Sequence, residues 1–211
     1  VIDYDHSIIP DELTKPWQVL APALAVCTPL PLGMWVSELW TLAPWFLVED
    51  GLNTHAAPWA GLRAVLWVAV PALCLLALSV PAARWIYTAC CPPDQRWRAE
   101  DHRGFAIGVW WFLGASVVHL VALAALAACA GAAGPRVGPE LWLTITAAQA
   151  VLGSLAGWMA LYLVGLAGTV AFRRNAMGFG DVKFLAPIGA LLAPPGVLLT
   201  FVFGAVIGTA V

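Results

Sequence analysis

A polytopic all-α bundle of transmembrane helices is the fold class this sequence predicts, and three observations predict it. Apolar residues make up 62% of the 211 and charged residues only 10%, with a mean hydropathy of +0.85; an ordinary soluble domain carries about a quarter charged residues. The ten basic and twelve acidic residues gather in short polar stretches between long apolar runs, the pattern of a chain that crosses a bilayer repeatedly. Strand alternation is absent and the runs are too long for barrel strands. Helices are then the remaining way to span lipid with every backbone group satisfied. The lipid bilayer is thus the first partner, while a net charge of −2 and the lack of a basic stripe argue against nucleic acid.

Five apolar segments follow in order. The first covers about 16–36 and is punctuated by Pro22, Pro29 and Pro31; the second covers 62–87, the third 105–133 and the fourth 141–172. The last begins after a turn expected at Pro194-Pro195 and continues to Val211. Each reaches or approaches the roughly 20 residues needed to cross a bilayer. The shorter stretch from Val182 to Ala193 reads as a re-entrant or interfacial helix. The chain opens at Val1 and stops inside an apolar run, so it reads as truncated at both ends, a fragment of a longer protein with no signal peptide to be read.

Charge sets the orientation. With Val1 to Thr14 on the cytoplasmic side and one crossing per full segment, the cytoplasmic loops hold Lys15, Arg84, Arg96, Arg98, Arg103, Arg173, Arg174 and Lys183. The opposite side holds Arg63 and Arg136. That bias satisfies the positive-inside rule, and the reverse orientation would invert it. Trp17, Trp35, Trp59, Trp85 and Trp142 stand beside polar boundaries, where interfacial anchors belong. Small-residue spacings, Gly153 to Gly157 and Gly204 to Gly208, suit close helix packing within the bundle. The five cysteines, Cys27, Cys74, Cys90, Cys91 and Cys129, form no CxxC pair and no zinc spacing, so no metal is expected.

Carboxylates at a membrane edge are costly and need a reason. Two stretches supply one. Asp3, Asp5, Asp11 and Glu12 lie ahead of the first apolar run, and Gly178-Phe179-Gly180-Asp181-Val182-Lys183 follows the fourth. A GxGD by itself is a short and weak motif; its bland reading is a glycine hinge with an aspartate at a helix N-terminus. Here Gly178 and Gly180 are expected to use backbone angles that other residues resist, turning the chain sharply and leaving an acid at the lipid boundary. Lys183 fits two roles, electrostatic support of that acid or snorkelling to the headgroups. His6 reads as a surface residue, and His119, in the middle of the third run, as neutral and hydrogen-bonded inside the bundle.

Together these stretches resemble the type IV prepilin peptidase family. Asp3, Ile9, Pro10, Asp11, Leu13 and Thr14 fit its first motif, an aspartate with proline seven residues on in an Ile-Pro-Asp context. Gly178, Gly180, Asp181 and Lys183 fit its Gly-x-Gly-Asp-x-Lys. The resemblance covers roughly 1–36 and 147–211. It implies a multi-pass inner-membrane aspartic endopeptidase whose catalytic pair is Asp3 and Asp181, supported by Gly178, Gly180, Lys183, Pro10 and Asp11. The implied substrate is a type IV prepilin or a type II secretion pseudopilin, cut at its leader on the cytoplasmic face. Asp5 and Asp11 compete for the first role, but neither has proline seven residues on.

By this reading the chain divides into 1–36, the first motif and first transmembrane helix; 37–140, an insertion with a transmembrane hairpin; and 141–211, a transmembrane helix, the GxGD motif and the helices after it. An even number of added crossings keeps Asp3 and Asp181 on one face. Bacterial family members often carry a CxxC-containing domain linked to N-methylation, which this sequence lacks. S-adenosylmethionine therefore enters only if the full-length protein is also an N-methyltransferase, and no other cofactor is implied. A presenilin or signal-peptide-peptidase kind of protease is the nearest alternative, since Tyr4-Asp5 imitates its Tyr-Asp, but the Pro-Ala-Leu it requires does not occur. A non-enzymatic transporter or scaffold bundle would show charges inside the membrane or paired broken helices in internal repeats, and no repeat is found.

Overall fold

Within the described residues the apolar runs fold as helices, because in lipid a helix satisfies its own backbone. The computed structural model describes residues 11–27, 57–93, 99–132, 139–174 and 178–210. These form five helices: α1 (Asp11–Cys27), α2 (Ala57–Cys90), α3 (Ala99–Ala132), α4 (Pro139–Phe172) and α5 (Phe179–Ala210). Four segments among the described residues are long and apolar enough to cross a membrane: Val65–Cys90, Asp101–Cys129, Thr146–Phe172 and Phe179–Gly204. The all-α polytopic bundle expected from composition is the observed architecture.

Side-chain pairs fix the directions of the helices. Phe105 meets Tyr162 and Phe112 meets Trp158, so α3 and α4 run antiparallel. The backbone of Gly153 lies against Gly189 and that of Gly157 against Leu185, so α4 and α5 also run antiparallel. Tyr162 approaches the Ser79 carbonyl and Tyr87 shares a hydrogen bond with Thr169, which makes α2 parallel to α4. Trp111 and His119 of α3 reach the carbonyls of Lys15 and Val19, so α1 is parallel to α3. One end of the bundle therefore collects the starts of α1, α3 and α5 and the finishes of α2 and α4. Helices α2 and α3 therefore run antiparallel to one another.

The core gathers on the faces of α2, α3 and α4, with Trp158, Phe112, Leu76 and Leu123 among its largest fully buried side chains. Outward faces stay apolar: Trp67, Leu78, Trp85, Val121 and Ile207 are all more than 60% exposed, as a surface bathed in acyl chains requires. Trp85 stands at the polar boundary where an anchor was expected, whereas Trp158 is wholly interior.

The tightest packing is between α4 and α5. A Cβ on Gly153 would overlap the Gly189 carbonyl, and one on Gly157 would overlap that of Leu185. Helix axes approach this closely only where side chains are missing, so the 153–157 spacing does serve packing inside the bundle. Gly204 makes no such approach: a Cβ there meets nothing within 4 Å.

Helix α5 is broken at Ala193, which has φ 59° and ψ 171°. Proline disfavours the helical conformation in the residue before it, and Pro194-Pro195 follow directly. The bend is sharp enough that a Cβ on Gly189 would come within 2.9 Å of Val197 Cγ2. The turn expected at Pro194-Pro195 is therefore present. The stretch from Val182 to Ala193, expected to be re-entrant or interfacial, packs along α4 and buries Val182, Leu185, Ala186 and Ala190. An alternation of small and large apolar residues looks alike on a membrane surface and against another helix.

Candidate active site

The polar end of the bundle is built around the first turns of α5. Helix α4 stops at Phe172, and Arg173 takes the left-handed conformation with φ 51°, a common device for ending a helix. The sharp turn ahead of Asp181 thus falls partly to Arg173. Gly180 is helical and Gly178 does not occupy the left-handed region, contrary to the expectation that both glycines supply unusual backbone angles. Gly178 lies beside the acid, and a Cβ there would meet Asp181 Oδ2 at 3.7 Å, an ordinary contact.

Asp181 is the third residue of α5 and is exposed. A carboxylate in a helix's first turn is stabilised by the unsatisfied N–H groups and the positive end of the dipole. The bundle holds that turn from beneath. Phe179 makes edge contacts with Phe105 and Trp158, at centroid distances of 4.8 and 5.5 Å. Trp158 in turn contacts Tyr162 and Phe112 at 5.5 and 5.2 Å. Five rings from α3, α4 and α5 thus wedge the start of α5 in place, each such pair adding about 0.5–1.5 kcal/mol beyond its buried area.

Lys183 does not snorkel. It is only 8% exposed, and its Nζ lies 4.8 Å over the Phe179 ring, a cation–π contact that returns the amine towards the turn bearing Asp181. Gly108 of α3 makes room for both: a Cβ there would come within 2.6 Å of Phe179 Cε1 and 2.9 Å of Lys183 Cε.

Helix α1 starts at the same end. Asp11 is its first residue; Asp3, Asp5 and Pro10 lie outside the described residues. The inward face of α1 carries Thr14 and Gln18, both buried, and Gln18 Nε2 donates to the Lys183 carbonyl oxygen at 3.2 Å. Thr14 Oγ1 and Gln18 Oε1, one turn apart, are buried without a hydrogen-bond partner. Two bonds from α3 dock the other side of α1. Trp111 Nε1 donates to the Lys15 carbonyl at 3.4 Å, and His119 Nε2 lies 3.1 Å from the Val19 carbonyl. A carbonyl only accepts, so His119 carries its proton on Nε2, and its expected hydrogen bond within the bundle is observed.

Of the residues expected from the sequence, the structure thus places Gly178, Gly180, Asp181 and Lys183 on one turn, with Asp11 at the same end of the bundle. Phe179, Gly108 and Gln18 are site-building residues that the sequence reading did not single out. Phe179 was hidden as the variable position of GxGD, Gly108 as one small residue in an apolar run, and Gln18 as a lone polar residue with no spacing to mark it.

No curated protein and no solved structure matches the chain. The model of the type IV leader peptidase family matches residues 104–211, which takes in most of α3 and reaches back into the 37–140 region. The matched stretch contains the aromatic wedge, the Gly108 notch and the GxGD turn they hold, and it covers half of the sequence. The chain belongs to the type IV leader peptidase family.

Proposed function

We propose that this protein is an aspartic endopeptidase that removes the leader peptide from type IV prepilins or pseudopilins, with Asp3 and Asp181 as its catalytic pair. One observation carries the reading. The helix that follows the first motif and the helix that bears Asp181 start at the same end of the bundle and are hydrogen-bonded to one another through Gln18 and Lys183. Asp3 stands eight residues ahead of Asp11 in the sequence, within reach of that end, since extended chain spans about 3.3 Å or more per residue.

Charge supports a cytoplasmic active site. Lys15, Arg84, Arg103, Arg173, Arg174 and Lys183 belong to this end and Arg63 to the other, the asymmetry of a positive-inside protein.

The chemistry follows from two neighbouring carboxylates. Both cannot ionise easily, so they hold one proton between them and titrate as a pair. The ionised partner takes a proton from a bound water as that water attacks the scissile carbonyl. The protonated partner polarises the carbonyl and then protonates the leaving amine. Water is the nucleophile, and the reaction needs no cofactor.

Membranes holding the full-length protein, incubated with a prepilin, test this through the mass of the shortened product. Asp3→Asn and Asp181→Asn should each lower turnover by about a hundredfold or more, with membrane insertion unchanged. Asp5→Asn and Asp11→Asn should retain turnover. A dead Asp5→Asn beside an active Asp3→Asn would move the first catalytic role to Asp5.

A further inference from the structure

Pro187 lies inside α5. An α-helix bonds each N–H to the carbonyl four residues back, and proline has no N–H, so the Lys183 carbonyl loses its intrahelical donor. Inside a bilayer such a group must find a partner on a neighbouring helix. Gln18 is that partner. Its Nε2 donates to the Lys183 oxygen at 3.2 Å, across 165 residues of sequence, and its side chain is 2% exposed. Because the oxygen only accepts, the amide has one workable orientation. The bonds from Trp111 and His119 join α1 to α3; the bond from Gln18 reaches the helix that carries Asp181, two residues beyond it.

We propose that Gln18 is a positioning residue: it fills the carbonyl left open by Pro187 and so fixes the distance between α1, which follows the first motif, and the turn of α5 that bears Asp181. The gap at Pro187 thus becomes the point at which two helices are registered against each other. This rests on the reading of Asp181 as one of a catalytic pair.

A purely structural role and a positioning role separate in the variants Gln18→Leu, Pro187→Ala and the two combined. Alanine at 187 returns an N–H to the helix, so the Lys183 carbonyl is satisfied with or without Gln18. The full-length protein in nanodiscs is measured for Tm, for kcat and KM on a prepilin, and for the distance between nitroxides at Trp17 and Phe184, after replacement of its native cysteines. Both label sites are exposed, 45% and 46%.

Gln18→Leu should lower Tm, broaden the distance distribution and reduce kcat by about a hundredfold, the cost of a misplacement near 1 Å, with KM within about twofold. Pro187→Ala alone should stay within about twofold of the native kcat, because a carbonyl oxygen has room for two donors. The combined variant should regain Tm while kcat stays low and the distances broad. Recovery of kcat together with Tm in the combined variant would overturn the proposal, as would a native kcat and a narrow distribution in Gln18→Leu. If the unaltered protein cleaves no leader peptide, the peptidase reading fails and the distances alone decide; a Gln18→Leu distribution as narrow as the native one then overturns the positioning role.

Discussion

A hydrogen atom in place of a side chain at Gly108 decides how the first turn of α5 is seated. Phe179 and Lys183 enter the space it leaves, and both belong to the turn that carries Asp181. The atoms a new Cβ would meet are the far ends of two side chains, which can shift. Gly108→Ala should therefore cost only about 1 kcal/mol of stability, the low end for overpacking. Turnover should fall further than that loss explains, because what shifts is the support beneath Asp181. Thermal unfolding and leader cleavage measured on one preparation check this; full activity would show that the wedge tolerates displacement. The acid itself is legible in the sequence, since GxGD announces it. Its seat is not, because Phe105, Gly108 and Trp158 carry no mark in their apolar runs that they converge on one turn.

Among the helices, α4 and α5 form the stiffest pair. At Gly153 the obstacle to a side chain is the Gly189 backbone and the Ala193 Cα at 3.0 Å, neither of which moves without the whole helix. Gly153→Ala should thus cost about 3 kcal/mol, the upper range for overpacking, and lower Tm well beyond Gly108→Ala in the same assay. Equal losses in the two variants would mean that α5 slides freely along α4. Gly153 and Gly157 stand four apart in an apolar run, so this contact could be read from spacing alone. The docking of α1 could not. Its cues are visible as residues, Pro187 four positions after Lys183 and one glutamine in an apolar run, but nothing in the sequence pairs position 18 with position 183. The same spacing argument fails at Gly204, which faces open space; a small-residue pattern shows that helices can approach, not that they do.

For the molecule as a whole, α1, α3 and α5 run one way and α2 and α4 the other, so four helices, an even number, separate the start of α1 from the start of α5 and leave both starts at one end. Loop charge predicts which side of the membrane that end faces. In a version lacking native cysteines, a cysteine in place of Gln95 should resist impermeant thiol reagents applied to intact cells, and one in place of Gly138 should be labelled. Labelling at 95 would reverse the orientation and the cytoplasmic active site with it. Composition was enough to give the helical class. The mutual directions of the helices came only from contacts such as Phe112 with Trp158 and Trp111 with Lys15, which join positions far apart in the chain.

The docking of α1 also carries a clock. Its hydrogen-bonding partners lie 96, 100 and 165 residues downstream. At about 5–20 residues per second of synthesis, α1 waits roughly ten to thirty seconds after its own emergence before Lys183 exists to receive Gln18. Helices α3, α4 and α5 each pack against the helix made just before them, whereas α1 finds most of its contacts on α4 and α5, the last two made. The turn bearing Asp181 therefore meets α1 last, and on the peptidase reading proposed above a nascent chain gains activity only once its final helix has been delivered to the membrane.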